Sequence, residues 1–306
     1  MRAAELWKLV RQTAVEYTTY SLTLFLLLPK SPVLSALYWL EQQCCAVFGP
    51  DFGRICFPSL LFSVGFTISS CIYHLLDHYN CFPSKKVHKR DFRSNAVSWR
   101  DMWPTVVLNH VLWHCLTLYV VFYHLFDGQA VWKGVSLQYD LGRDMWHVVH
   151  CLFITLGALT VFDTGFYWMH RLMHHPLLYK RVHALHHRTF ASTALSGAYM
   201  TAPDYILTQS LPAAAISLVL HATYMNMPML CHVWIATLAS INAAHTHSGF
   251  VFPILPTPLS HEAHHAYGNV FYGIGLWDLL MRTDRIPLQR QKRRIARGDL
   301  HLPKSA

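Results

Sequence analysis

The chain has 306 residues, room for one large domain or two ordinary ones, yet 53% are hydrophobic, only 13% are charged and the mean hydropathy is +0.24. Soluble domains run near about 25% charged, so a soluble enzyme, a secreted disulfide scaffold and a disordered chain are disfavoured. The net charge of +9 is not spread as a nucleic-acid-binding surface would be: 14 of the 25 Lys and Arg lie in 85–100 and 282–304, beside apolar segments. The positive-inside rule expects this of cytosolic loops, and no nucleic-acid partner is expected.

The first 50 residues hold two short apolar pieces, 18–29 and 31–40, after an amphipathic, charged start that lacks the pattern of a cleavable signal. Residues 1–54 therefore read as a membrane-associated segment, either one broken span or an interfacial pair. Residues 55–76 carry no charge and predict a span, since about 20 apolar residues cross a bilayer. The basic loop 78–101 follows, and the charge-free stretch 103–126 returns. Loop 127–144 holds just Lys133 and Arg143 as cations and is placed on the lumenal side. Residues 145–166 cross back, the helix continuing through Tyr167, Trp168, His170 and Arg171. The uncharged region 205–244, interrupted by Pro212 and Pro228, reads as a hairpin that enters and leaves on one side, so residues from 245 onward are cytosolic.

The expected fold class is all-α: a polytopic membrane protein with about four core transmembrane helices and a cytosolic histidine-rich helical cap, residues 55–306 forming one membrane-embedded domain. None of the eight cysteines forms a C-x-x-C pair, and Cys71, Cys115, Cys151 and Cys231 fall in apolar spans, which predicts reduced, buried thiols.

Twenty-two histidines stand out by their spacing. His170 and His174 lie four apart, His183, His186 and His187 form HALHH, His245 and His247 sit in HTHSG, and His261, His264 and His265 form HEAHH. On a helix, positions i, i+3 and i+4 share a face, so each box should aim its imidazoles at a common point. Ten buried imidazoles would repel if protonated, whereas metal coordination requires the neutral ring and satisfies its lone pair. Ten nitrogens exceed the four ligands of a structural zinc, which argues for two ions. Imidazole suits Zn, Cu, Fe and Ni, and the spacing does not choose. HEAHH also satisfies the zincin pattern, with Glu262 as general base, but a zinc protease leaves the other box histidines without a role. A metal transporter would need its histidines along the spans rather than beside them. The histidines within or beside the spans, such as His110, His114 and His232, read as helix-interface residues, and the role of His175 stays open.

The four boxes, in this order and between apolar spans, resemble the fatty acid hydroxylase and sterol desaturase superfamily. The likeness runs through FDTGFYWMHRLMHHPLLYKRVHALHH, HSGFVFP and HHAYGNVFYGIGLWDLLMRT, about residues 160–285, and Asn109-His110 with ALSGAYMTAPDY is most like the cholesterol 25-hydroxylase branch. The resemblance implies an endoplasmic-reticulum enzyme with a diiron centre that uses O2 and electrons from NAD(P)H through cytochrome b5 and its reductase. It implies as ligands His170, His174, His183, His186, His187, His247, His261, His264 and His265, with His245 departing from the pattern. Asp163, seven before His170, is expected to orient a ligand or to pack a helix. The expected activity is lipid hydroxylation, foremost 25-hydroxylation of a sterol, with C-4 methyl oxidation, C-5 desaturation and acyl hydroxylation as alternatives.

Overall fold

The computed structural model describes residues 32–87, 97–120, 145–189, 193–222, 228–252, 255 and 257–285. The expectations for 1–31, for loop 127–144 and for the basic segment beyond 285 lie outside the described residues. Among those described, the fold is helical, with no strand beyond a single antiparallel bridge between Lys86 and Phe250.

Helix α1 (Pro32–Phe48) turns at Gly49, whose φ of +84° suits glycine, into α2 (Pro50–His78), where Pro50 takes the helix start that tolerates a missing N–H. The two helices pack closely because Gly53 lets them: a Cβ there would stand 2.5 Å from Cys45 Cα. One face of α2, Val64, Ile68, Ile72 and Leu75, is apolar and exposed, at spacings of three and four that make a stripe.

Ser98 caps α3 (Trp99–Val107), which runs on through a π-helical stretch, Leu108–His114, into α4 (Cys115–Tyr119). The long α5 (Met145–Met173) leads into α6 (Pro176–Tyr179), and Thr201 caps α7 (Ala202–Tyr205). A second π-helical stretch, Ile206–Ser210, joins α7 to α8 (Leu211–Ala222). Helix α9 (Met229–Ser248) and α10 (Leu259–Tyr267) both end at a left-handed glycine, Gly249 and Gly268, and α11 (Leu276–Leu280) follows.

Helix α9 packs along α2, and α8 along α5. One core joins Leu34, Phe57, Ile154 and Trp234; a second, nearer the histidines, joins Phe66, Met102, Leu195, Tyr205 and Phe250.

Two described helices are long and apolar enough to cross a membrane, Phe52–His78 and Val149–Met173. The other expected spans correspond to the α3, π and α4 run, described as far as Val120, and to α8 and α9. The expected break between residues 54 and 55 falls inside α2. All eight cysteines are free; Cys56, Cys151 and Cys231 are buried and the others half-buried.

Gly53→Val should force α1 and α2 apart and destabilise the chain by roughly 1–3 kcal/mol, the usual cost of overpacking. A melting temperature of the purified, detergent-solubilised variant equal to that of the parent would show that the close approach is not needed.

Candidate metal centre

The nine superfamily-type histidines come together, although not box by box. His170, His174, His183, His187 and His264 form one group and His186, His247, His261 and His265 a second, the candidate ligand atoms of each lying within 4.8 Å of one another. In HALHH the i and i+4 residues go to the first group and the i+3 residue to the second; in HEAHH the assignment is reversed. The expectation that each box aims at one point is corrected: the adjacent pairs 186/187 and 264/265 divide between two centres, whose rings meet at His187 and His265, centroids 4.5 Å apart. HALHH also lies in a turn and a short 3-10 segment, His186–Arg188, rather than on an α-helix.

Within each group the Nε2 atoms face inward. His170 and His183 have theirs 3.1 Å apart, His183 and His187 3.0 Å, and His174 and His264 3.1 Å. In the second group His247 and His261 stand 2.6 Å apart, His261 and His265 2.9 Å, and His186 and His247 3.4 Å. Several Nδ1 atoms are claimed from outside. His170 Nδ1–H donates to the Tyr272 carbonyl (2.7 Å), His264 to that of Val270 (2.7 Å) and His247 to that of Ala243 (2.8 Å). A carbonyl oxygen only accepts, so these rings carry the proton on Nδ1 and present a bare lone pair at Nε2. His183 Nδ1 meets Asp204 Oδ2 at 2.7 Å, with the same consequence when Asp204 is a carboxylate.

The His170 and His183 lone pairs, 3.1 Å apart with no proton between them, repel; a cation between them resolves this. Two imidazoles bound at right angles about 2.0–2.1 Å from one ion, as in zinc–imidazole bonds, stand roughly 3 Å apart. The donor set therefore fits metal ions, five nitrogens for one and four for the other.

Burial keeps these rings neutral. It pushes His174 down to about 2, His187 to about 3 and His247 to about 4, and it drives His183, His186, His261, His264 and His265 well below the ordinary value. Except at His247, neighbouring imidazoles add to the effect. Burial raises Asp204 to about 8, and a cation on His183 would favour its carboxylate form.

The three remaining sequence candidates lie elsewhere. His245 is two residues from His247, about 200° around the same helix, and its Nδ1 meets Tyr73 Oη at 2.6 Å outside both groups. His175 is exposed, and its Nδ1 accepts from Leu177 N at 3.4 Å to cap α6. Asp163 bonds no imidazole; its carboxylate accepts the backbone N–H groups of Ile274 (2.7 Å), Leu276 (3.1 Å) and Trp277 (3.4 Å). Asp278 accepts those of Tyr272 (2.8 Å) and Gly273 (2.7 Å). Together they fix the turn that supplies the carbonyl partners of His170 and His264.

Asp204 is the functional residue that the sequence reading missed. A signal was present, since it is the lone carboxylate between Asp163 and Glu262 and stands directly before a charge-free stretch. Lys86, counted above as a loop cation, is instead half-buried, paired with Asp77 at 2.6 Å and donating to the Ser248 carbonyl at 2.5 Å. It thereby clamps the end of the helix that carries His247.

The family model described as fatty acid hydroxylase matches residues 155–283, which hold all nine histidines and both turn-holding carboxylates. Over residues 155–283 the chain is thus similar to the fatty acid hydroxylase family. A fatty acid hydroxylase domain-containing protein 2 of Macaca fascicularis is 31% identical over 154 residues, 50% of this chain and 44% of that protein. A methylsterol monooxygenase of Aspergillus fumigatus is 34% identical over 145 residues, 44% of this chain and 48% of its own length. A Delta(7)-sterol 5(6)-desaturase of Leptosphaeria maculans is 32% identical over 169 residues, 51% of this chain and 43% of its own. The chain spans about half the length of these curated relatives. No solved structure matches it.

Asp204→Asn leaves the shape of the candidate centre but weakens the orientation and basicity of His183. Metal affinity, measured by chelator competition, should fall about 10–100-fold; an unchanged affinity would remove Asp204 from the centre.

The pH dependence of the metal-free chain has a definite sign. Imidazoles whose folded values lie below 6.5 refuse protons that the unfolded chain accepts, so stability is full above about pH 7 and falls as pH drops from about 6.5 toward 4. Asp204, between 3.8 and about 8, and Asp278, also raised by burial, oppose this, but they are two carboxyls against eight such imidazoles. Thermal scans of chelator-stripped protein should show melting temperature declining steadily over that window; a flat profile would mean that the rings are not held neutral.

Proposed function

We propose that this chain is a membrane-bound diiron monooxygenase that oxidises a C–H bond of a lipid, with a sterol as substrate and 25-hydroxylation as the expected reaction. The observation that carries this reading is the paired set of inward-facing, neutral Nε2 atoms, five in one group and four in the other. The names of the sterol-oxidising relatives support a sterol. They also favour a second reading, oxidation at a C-4 methyl group or at C-5, which differs in the carbon brought to the centre rather than in the ligand set.

When bound, the iron pair would supply the oxidising power that side chains lack: one atom of O2 enters the C–H bond and the other leaves as water, using a pair of electrons and a pair of protons. The chain's own residues do the rest. His170, His174, His183, His187 and His264 would hold one iron, and His186, His247, His261 and His265 the other. Asp204 and the carbonyls of Tyr272, Val270 and Ala243 keep the Nδ1 protons in place, so that every such ring offers its lone pair inward. His183, His186 and His264 are buried, which keeps water from the reacting face.

In this reading the protein is a multi-pass protein of the endoplasmic-reticulum membrane, with residues 1–54 as an associated segment and 55–306 as the embedded domain. About four helices span, and the histidines face the cytosol. Cytochrome b5 and its reductase deliver electrons from NAD(P)H at that face. The placement of His170 in the last turn of an apolar helix supports a site at the membrane rim, where a soluble donor and a lipid both have access.

Metal analysis of the purified chain should find iron at a pair per chain. Cells expressing it should accumulate an oxygenated sterol, mass spectrometry of which gives the carbon attacked, and His186→Ala should abolish the product. An unchanged lipid profile between the two, or zinc in place of iron, would overturn the reading.

A further inference from the structure

The two π-helical stretches, Leu108–His114 and Ile206–Ser210, bring together polar side chains that the proposed chemistry does not use. Such stretches insert a residue into a helix and recur at functional sites. Two of the polar groups between them are accounted for. Asn109 donates to the carbonyls of Ala198 (3.0 Å) and Met200 (2.9 Å), and His114 Nδ1 lies 3.1 Å from Ser210 Oγ.

His110 and Tyr205 are not. They are 3% and 2% exposed, and among the described residues neither His110 Nε2 nor Tyr205 Oη has a hydrogen-bond partner. Their ring centroids lie 5.8 Å apart, and Phe62 and Phe66 cover His110 at 5.2 and 5.0 Å. Burying two polar groups unmade is unfavourable, and phenylalanine at either position would fill similar space without that penalty.

We propose that His110 and Tyr205 form a binding site for the single neutral hydroxyl group of a sterol substrate. One alcohol satisfies both: its O–H donates to His110 Nε2 while its oxygen accepts from the Tyr205 O–H. An anionic headgroup is a poor match, because 55–76, 103–126 and 205–261, the segments that build the site, contain no Lys or Arg. Tyr205 directly follows Asp204, which holds His183, and Thr208 Oγ1 donates to the Asp204 carbonyl at 2.7 Å. One helical turn thus carries both a residue that holds the candidate metal centre and one of the hydroxyl anchor. This inference rests on the sterol reading above.

The test is equilibrium binding of labelled cholesterol and of its 3-deoxy counterpart to the full chain, metal-loaded, in lipid nanodiscs. The parent should prefer the alcohol by tenfold or more, about tenfold being one hydrogen bond's worth of discrimination. Tyr205→Phe, which keeps the ring, and His110→Phe should each bind the two sterols about equally, with metal content unchanged as the control on folding. Equal binding of both by the parent, no saturable binding of the alcohol, or full preference retained in Tyr205→Phe would each overturn the assignment, leaving the pair to an internal water. Loss of preference without any oxidised product would instead sustain the anchor and sink the oxygenase reading, so the two fail separately.

Discussion

Nine imidazole Nε2 atoms turned toward one another are the constraint on which this molecule is organised. Where both rings hold their proton on Nδ1, as His170 and His183 do, a 3.1 Å separation of their Nε2 atoms is repulsive, and burial forbids relieving it by protonation. Positive charge supplied from outside the chain would relieve that repulsion. The surrounding structure accordingly acts on the far side of each ring: three carbonyls and one carboxylate take Nδ1 protons and so dictate where the lone pair points.

Those carbonyls need fixing in turn, and the chain spends its few buried charges on it. Asp163 and Asp278 collect five backbone N–H groups from the turn between Tyr272 and Trp277. That turn passes so close that a Cβ at Gly273 would lie 2.6 Å from Asp163 Oδ1. On the opposite side, Gly197 lets its segment lie against the His247 turn, where a Cβ would stand 2.9 Å from both the Ala243 carbonyl and His247 Nδ1. Lys86 and Asp77 staple residues 85–87 to 249–251, with Val251 N–H donating to the Lys85 carbonyl at 2.8 Å. Each of these devices orients a ligand without touching the inner face.

The helical class, the apolar segments and the histidines that cluster were legible because they depend on local periodicity and residue chemistry. His170 and His174, four apart, do share a group as the helical period requires. How the other boxes divide was not legible, because HALHH folds as a turn and because an i+3 residue on a face between two centres can serve either. Asp204 was overlooked because nothing local marks it; its partner His183 is 21 residues away and the contact is set by tertiary packing. His245 shows the opposite error: its type and neighbourhood fitted a ligand, but a two-residue offset rotates it away to Tyr73.

The position of the centre along the chain explains why so hydrophobic a sequence concentrates polarity where it does. His170 and His174 lie in and just after the final turn of α5, and His247 in the final turn of α9, so two long helices deliver ligands at their C-terminal ends. A helix C-terminus carries partial negative charge, which favours a cation there by a few tenths to one kcal/mol when exposed and by more when buried. His261, His264 and His265, by contrast, ride on a nine-residue helix anchored through Val270, and HALHH on a turn anchored through Asp204. Two rigid helix ends thus define the floor of the centre, and two short, separately tied segments close over it.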